Sequence, residues 1–198
     1  DLLFQHVREL PGPVVFDVTL SGPSGEDILE QQGLDALVDH FDAADLVTIR
    51  RADAELLAGM KIPSLDDAQV AVQRIAQQGA GRVLLRCGQI ATHHFDTESS
   101  PPDYSVDLYY DGDDFALFEA PFLSGIDALT GRSSGLLLPL LRRLQDGTPP
   151  EEALQAAKGI VTEALRAAQE AAPSVRTSTF YDALQEERQA TPSGNGQP

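Results

Sequence analysis

Leu129-Thr130-Gly131-Arg132-Ser133-Ser134-Gly135, continued by the leucine-rich run Leu136 to Leu144, is the stretch whose reading decides the fold. A glycine turn, then hydroxyls, then an amphipathic helix is how an α/β protein aims backbone N–H groups at a phosphate. Unpaired donors and the positive end of the helix dipole attract an anion there. Leu136, Leu137, Leu140, Leu141 and Leu144 recur at helical spacing and predict one face buried against a sheet. Asp146-Gly147 closes that element. Pro139 deletes a backbone hydrogen bond, so it bends the helix or delays its start behind a cap at Ser134. The same pattern also describes an ordinary core helix after a loop, because short glycine motifs recur by chance.

Working outward, the chain alternates strand and helix signals. Asp1–Leu10 has helical spacing and is ended by Pro11-Gly12-Pro13. Val14-Val15-Phe16-Asp17-Val18 is a nearly continuous apolar run, as in a strand covered on both faces. Ser21 to Gly25 is a loop, and Leu34, Leu37, Val38 and Phe41 mark a helix. Ala44 to Ile49 predicts a second strand, and Asp53 to Ala58 a short helix stopped by Gly59. Ser64 with Asp67 predicts a capping box for the apolar stripe Leu65 to Ala76, which ends at Gly79. Arg82 to Cys87 is a third strand, and Ala91 to Ser105 a polar loop or flap. Val106–Tyr110 and Phe115–Glu119 flank Asp111-Gly112-Asp113-Asp114 as a hairpin. Thr148-Pro149-Pro150-Glu151 starts a helix whose buried face runs from Ala153 to Ala168. Residues 173–198 read as a polar, partly disordered tail, with Thr191–Pro198 disordered.

Bulk properties narrow the function. The 198 residues suit one domain with a full core. A net charge of −17, from 31 acidic and 14 basic residues, argues against nucleic-acid or anionic-membrane binding. It leaves room for a small anionic ligand held by a few arginines and N–H groups. No apolar run is long enough to span a membrane, and no signal peptide is visible. The single cysteine, Cys87, forms no internal disulfide, which fits a reducing cytosol and predicts a cytoplasmic protein. The only methionine is Met60, so a chain beginning at Asp1 is expected to be processed or an excerpt. Strand–helix alternation sets loops at the carboxyl ends of parallel strands, where such folds bind ligands. The loops Asp17 to Gly25, Thr48 to Asp53, Arg86 to Gln89 and Leu129 to Gly135 are expected to converge on one crevice.

In order, these segments resemble the bacterial hydroxymethylpyrimidine/phosphomethylpyrimidine kinases. Val15-Phe16-Asp17-Val18 and Ser24-Gly25-Glu26-Asp27-Ile28-Leu29 resemble that family's Val-Asp-Pro-Val and Ser-Gly-Asp segments. Ala44 to Thr48 with Asp53-Ala54-Glu55-Leu56-Leu57-Ala58-Gly59 resembles Thr-Pro-Asn…Glu-Ala-Glu-Leu-Leu-Thr-Gly. Val83 to Gln89 resembles Val-Leu-Val-Lys-Gly-Gly-His, and Asp107 to Gly112 with Phe118 to Pro121 resembles the family's hairpin. Gly131 to Gly147 lines up without a gap on Gly-Thr-Gly-Cys/Asp and its helix. Pyridoxal kinases share much of this pattern. The resemblance covers roughly Val14 to Ala168.

The resemblance implies a ribokinase-like three-layer α/β/α fold with a mostly parallel central sheet, over residues 1–172, lacking the first part of the fold. It implies ATP- and Mg2+-dependent phosphotransfer to hydroxymethylpyrimidine or its phosphate in thiamine biosynthesis, or vitamin B6 salvage for the pyridoxal neighbour. Such chemistry needs cations on the phosphates, an anion hole and a base near the substrate hydroxyl. Carried over residue by residue, Ser134 fills the slot of the family base, with Gly131, Arg132 and Ser133 in the motif. Thr48, Arg50, Arg86 and Gly88 stand on the nucleotide side, and Asp53 and Asp17 on the metal side. Arg50 replaces an Asn, Asp53 a Glu, Arg132 a Thr and Ser133 a Gly. A serine without a partner base is a poor proton acceptor, so catalysis is expected to be impaired or lost.

Alternatives stay open at each position. Asp17 is a metal-side carboxylate or a capping acid; Asp53 is a metal ligand through water or a helix N-terminal acid. Arg50, Arg86 and Arg132 form a phosphate clamp or are scattered surface arginines, and Asp127 is a displaced base or none. His93-His94 has no third ligand at metal spacing and reads as solvated; Cys87 reads as a packed strand-end thiol. The chain is then an active small-molecule kinase, a non-catalytic kinase-derived binding module, or a broken copy. A homodimer, or a missing N-terminal segment, is expected along the exposed edge of Val14–Val18.

Overall fold

Three apolar runs pair in parallel: β1 (Val15–Val18), β2 (Leu46–Arg50) and β3 (Val83–Gly88). They are seen in a computed structural model that describes residues 6–7, 9–22, 26, 28–93, 102–126, 129 and 132–190. Val15 lies opposite Leu46, and Val47 opposite Val83. The hairpin follows antiparallel as β4 (Tyr104–Tyr110) and β5 (Phe115–Pro121), giving the order β1-β2-β3-β4-β5. The sheet is therefore mixed, with two parallel and two antiparallel ladders, rather than mostly parallel. β4 starts at Tyr104, within the expected polar loop, of which residues 94–101 lie outside the described residues.

Parallel neighbours need crossover connections, and helices supply them. α1 (Gln31–Val38) joins β1 to β2. Between β2 and β3 come α2 (Arg51–Ala58) and α3 (Leu65–Gln77). α2 stops at Gly59, whose φ of 62° is the left-handed conformation of a helix C-terminus. Ser64 caps α3 by accepting the Asp67 N–H, and its hydroxyl donates to Asp67 Oδ2 at 2.5 Å. The core joins Val18, Val47, Ile49, Val83, Leu85, Val106 and Leu108 of the sheet to Ala54, Ala68, Ala71, Val72 and Ile75 of the helices. Each large apolar side chain so buried contributes roughly 1.5–3 kcal/mol. β1 is an edge of this sheet, and three of its four residues are only half-buried, so it is not the doubly covered strand its apolar run predicts.

The chain divides into two compact units, Asp1–Phe122 and Leu123–Pro198. The second is helical: α4 (Arg132–Gly135), α5 (Leu137–Gln145), α6 (Pro150–Glu170) and α7 (Arg176–Ala190). Pro139 has no N–H to offer the Gly135 carbonyl, so the helical run breaks between α4 and α5 and Pro139 falls in the first turn of α5. This is the delayed start that Pro139 predicts. Leu136 and Leu140 are buried, while Leu138 is exposed. Pro149, not Thr148, occupies the N-cap of α6, with Pro150 at its first position. α7 replaces the polar tail expected from residue 173 and carries Phe180, which is fully buried. Thr191–Pro198 and most of Asp1–Leu10 lie outside the described residues. Among the described residues no helix is long and apolar enough to cross a membrane.

Candidate functional site

Strand registers set a charged row across one face of the sheet. Arg50 of β2 lies opposite Arg86 of β3, and Arg86 opposite Asp107 of β4. One step earlier, Asp17 of β1 lies opposite Thr48. The alternate residues Val18, Ile49 and Leu85 belong to the helix-packed core on the other face. Arg86 spans β2, and its Nη2 donates to Asp17 Oδ1 at 2.7 Å. Burial pushes the Asp17 carboxyl up, outweighing the opposing pull of Arg86 and Arg50. Burial likewise pulls the Arg86 guanidinium below its ordinary range, against the charges of Asp17 and Asp107.

The β2–α2 junction carries the densest polar network. Asp53 is fully buried in the first turn of α2. Its Oδ1 accepts the N–H of Leu20 at 3.2 Å, the N–H of Ser21 at 3.0 Å and the Ser21 hydroxyl at 2.7 Å. Its Oδ2 accepts both arms of Arg50, Nε at 2.8 Å and Nη2 at 2.7 Å. Arg50 Nη2 also donates to the Ser21 carbonyl at 2.9 Å. Arg51 Nη1 donates to the Gln89 carbonyl at 2.9 Å, and Gln89 Nε2 to the Pro102 carbonyl at 2.7 Å. Aspartate and arginine thus stitch the loops after β1, β2 and β3 together.

Three of the four loops expected to form one crevice are joined in this way. The fourth, Leu129 to Gly135, belongs to the second unit. Thr48 is fully buried within β2, and its Oγ1 has no hydrogen-bond partner among the described residues. Gly88 ends β3 at φ 67°, beside a bulge that shifts the β3–β4 register between Arg86 and Gly88. Ser21, Arg51 and Gln89 are site residues that motif and spacing alone do not single out. Their only signal is position, just past the ends of parallel strands.

Ser134 lies inside α4 and is exposed; the N-cap of α5 is Leu136, so Ser134 does not cap that helix. The backbone of Arg132 and Ser133 is helical, and Gly135 is buried. Gly131 and Asp127 lie outside the described residues. So does His94, while His93 is exposed with its Nδ1 3.3 Å from Asp66 Oδ2. Cys87 is buried in the core, as expected of a packed thiol.

Residues 2–177 match the family described as phosphomethylpyrimidine kinase. The chain belongs to that family. A hydroxymethylpyrimidine/phosphomethylpyrimidine kinase of Aquifex aeolicus is 30% identical over 156 residues, covering 77% of this chain and 56% of the relative. The chain therefore spans little more than half of that relative's length. Among solved structures, Bacillus subtilis pyridoxal kinase in complex with ADP superposes with a TM-score of 0.68 at 24% identity, over 84% of this chain and 60% of that one. Phosphomethylpyrimidine kinase from Clostridium difficile 630 gives a TM-score of 0.60 at 22% identity, over 82% and 62%. These likenesses show a ribokinase-like α/β fold.

Magnesium, implied by the resemblance to kinases of this family, does not suit the carboxylates present. Both Asp53 oxygens are taken by N–H and O–H donors, and an incoming cation would have to displace a guanidinium. Asp17 already holds Arg86. Among the described residues no three His, Cys, Asp or Glu side chains are grouped to hold a metal. Arg51 bonds a carbonyl rather than a carboxylate among the described residues, and the Arg50 side chain stays 37% accessible. That chemistry suits an anion better than a cation.

Proposed function

We propose that this chain is a phosphomethylpyrimidine-kinase domain that binds the phosphate end of a nucleotide at the carboxyl ends of β1–β3. In this reading its ATP-dependent phosphotransfer to hydroxymethylpyrimidine, or its phosphate, in thiamine biosynthesis is impaired or lost. The supporting observation is the engagement of Asp53, whose two oxygens serve Leu20, Ser21 and Arg50. A carboxylate so occupied cannot also help to hold a metal without unlinking the β1 loop. Ser134 in the slot of the family base adds to this, because a hydroxyl needs a partner base to accept a proton. That a neighbouring kinase is solved with ADP supports the nucleotide part of the reading.

The test uses the full-length protein. ATP turnover is measured with hydroxymethylpyrimidine and with pyridoxal, with and without Mg2+, alongside calorimetric titration with ADP. The expected result is ADP binding that does not depend on Mg2+, and turnover far below the usual range. Turnover of about 1 per second or more on either substrate overturns the loss of catalysis, and pyridoxal turnover assigns vitamin B6 salvage instead. No ADP binding overturns the nucleotide site. Restoring Arg50→Asn, Asp53→Glu, Arg132→Thr and Ser134→Cys together is expected to raise turnover; an unchanged rate puts the reacting groups elsewhere.

A further inference from the structure

The C-terminal helix α7 is built against the motif turn. Phe180 is fully buried, and its ring lies against Gly135, the last residue of α4. A Cβ placed on Gly135 would stand 2.6 Å from Phe180 Cζ, 3.1 Å from Phe180 Cε1 and 3.3 Å from Leu184 Cδ1. Phe180 and Leu184 share one face of α7, being one helical turn apart. Any side chain at residue 135 therefore forces the buried Phe180 ring to shift, although the backbone angles there would accept one. A second hold lies at the entry to the same unit. Gln169 Nε2 donates to the Ser124 carbonyl at 2.8 Å, and Arg176 Nη1 to the Gly125 carbonyl at 2.7 Å. The family match ends at residue 177, so Phe180 and Leu184 lie beyond it.

We infer that Phe180 is a positioning residue: by seating its ring on Gly135, α7 sets the place of the Arg132–Gly135 turn. The consequence for ligand binding rests on the sequence reading of that turn as a phosphate cradle; the mechanical coupling does not. A turn this short has few bonds of its own, since helix formation below about a dozen residues is marginal without tertiary packing. Its order is supplied by the ring packed on Gly135.

Hydrogen exchange of the full chain, read by mass spectrometry, tests the coupling. Phe180→Ala is expected to speed exchange at Ser134 to Leu137 on the order of a hundredfold, with the middle of α6 unchanged. Gly135→Ala is expected to do the same by collision, and Phe180→Leu in that background to restore slow exchange. Unchanged exchange in Phe180→Ala, or no restoration in the paired variant, overturns the inference. If Phe180→Ala does not fold, the Gly135→Ala and paired variants decide alone. Weaker ADP binding in the loosened variants ties the clamp to the nucleotide. Faster exchange with unchanged ADP affinity leaves the clamp standing and overturns the reading of the turn as a phosphate site.

Discussion

Removing the Asp53 carboxylate measures how far this site serves as a structural joint. Asp53→Ala strips the acceptor from the N–H of Leu20, from the N–H and hydroxyl of Ser21, and from both arms of Arg50. A buried donor left without an acceptor costs about 1–3 kcal/mol. Leu20 is buried and bears most of this, Ser21 is half-buried, and Arg50 is 37% accessible, so water recovers part of the rest. The sum is about 3–5 kcal/mol, the range for breaking a buried ion pair from one side. That lowers the Tm by roughly 10–15 °C. Asp53→Asn keeps one oxygen for the Leu20–Ser21 loop but turns an amide N–H2 toward Arg50, so its loss is about half as large. Arg50→Ala keeps the Asp53 bonds to Leu20 and Ser21 but removes the bond to the Ser21 carbonyl and the cation beside the buried carboxylate, and costs about 1.5–3 kcal/mol. Melting and urea titration of the four proteins, with the double variant, give the Arg50–Asp53 coupling from a double-mutant cycle. An Asp53→Ala protein as stable as the parent refutes the reasoning. So does a Mg2+-dependent rise in Tm that Asp53→Asn abolishes, because it makes the carboxylate a metal ligand after all.

Burial raises the Asp17 carboxyl above the ordinary carboxylate range, so protonation favours the folded state. The stability this group contributes is full below its unfolded pKa and falls as pH rises through the raised folded value; Asp17→Asn is expected to flatten that slope in urea titrations, and an unchanged slope counts against it. Ser64→Ala, which removes the cap of α3 and its bond to Asp67, is expected to cost about 1–2 kcal/mol in the urea midpoint; a neutral result means the cap does not hold the helix. A Cβ at Gly88 would meet open space, but the backbone there has a φ of 67°. Gly88→Ala is therefore expected to cost about 1–2 kcal/mol from backbone strain alone, with Gly88→Asn recovering part of it. Equal stability of the alanine and asparagine variants would remove the conformational argument.

Legibility from the sequence follows the range of the forces involved. β2, β3, the hairpin and α3 are readable because apolar periodicity, a serine cap and terminal glycines act over a few residues. Pro139 announces a late helix start for the same reason. Sheet polarity is not readable in full. The hairpin's antiparallel pairing is visible, but its attachment beside β3 makes half of the ladders antiparallel. α7 escapes notice because its sequence is polar nearly throughout, and Phe180 is its sole fully buried side chain among the described residues. Arg51 and Ser21 escape it because their roles depend on which strand ends become neighbours, and register is a long-range property.

The Arg50–Asp53 pair couples two positions three residues apart by charge. By resemblance, an asparagine and a glutamate stand at these places in the kinases. A glutamate there has one more methylene, so its carboxylate reaches farther from the backbone. Aspartate holds its carboxylate close to the backbone of α2, within reach of Leu20 and Ser21. A short carboxylate buried without a cation is costly; a guanidinium from the residue three positions earlier supplies that cation from within the chain. Arginine without the aspartate would keep only the Ser21 carbonyl, and aspartate without the arginine would bury a charge with no cation bonded to it. Each charge of the pair is thus stabilised by the other. The pair thus ties the loop after β1 to the start of α2 from within the chain.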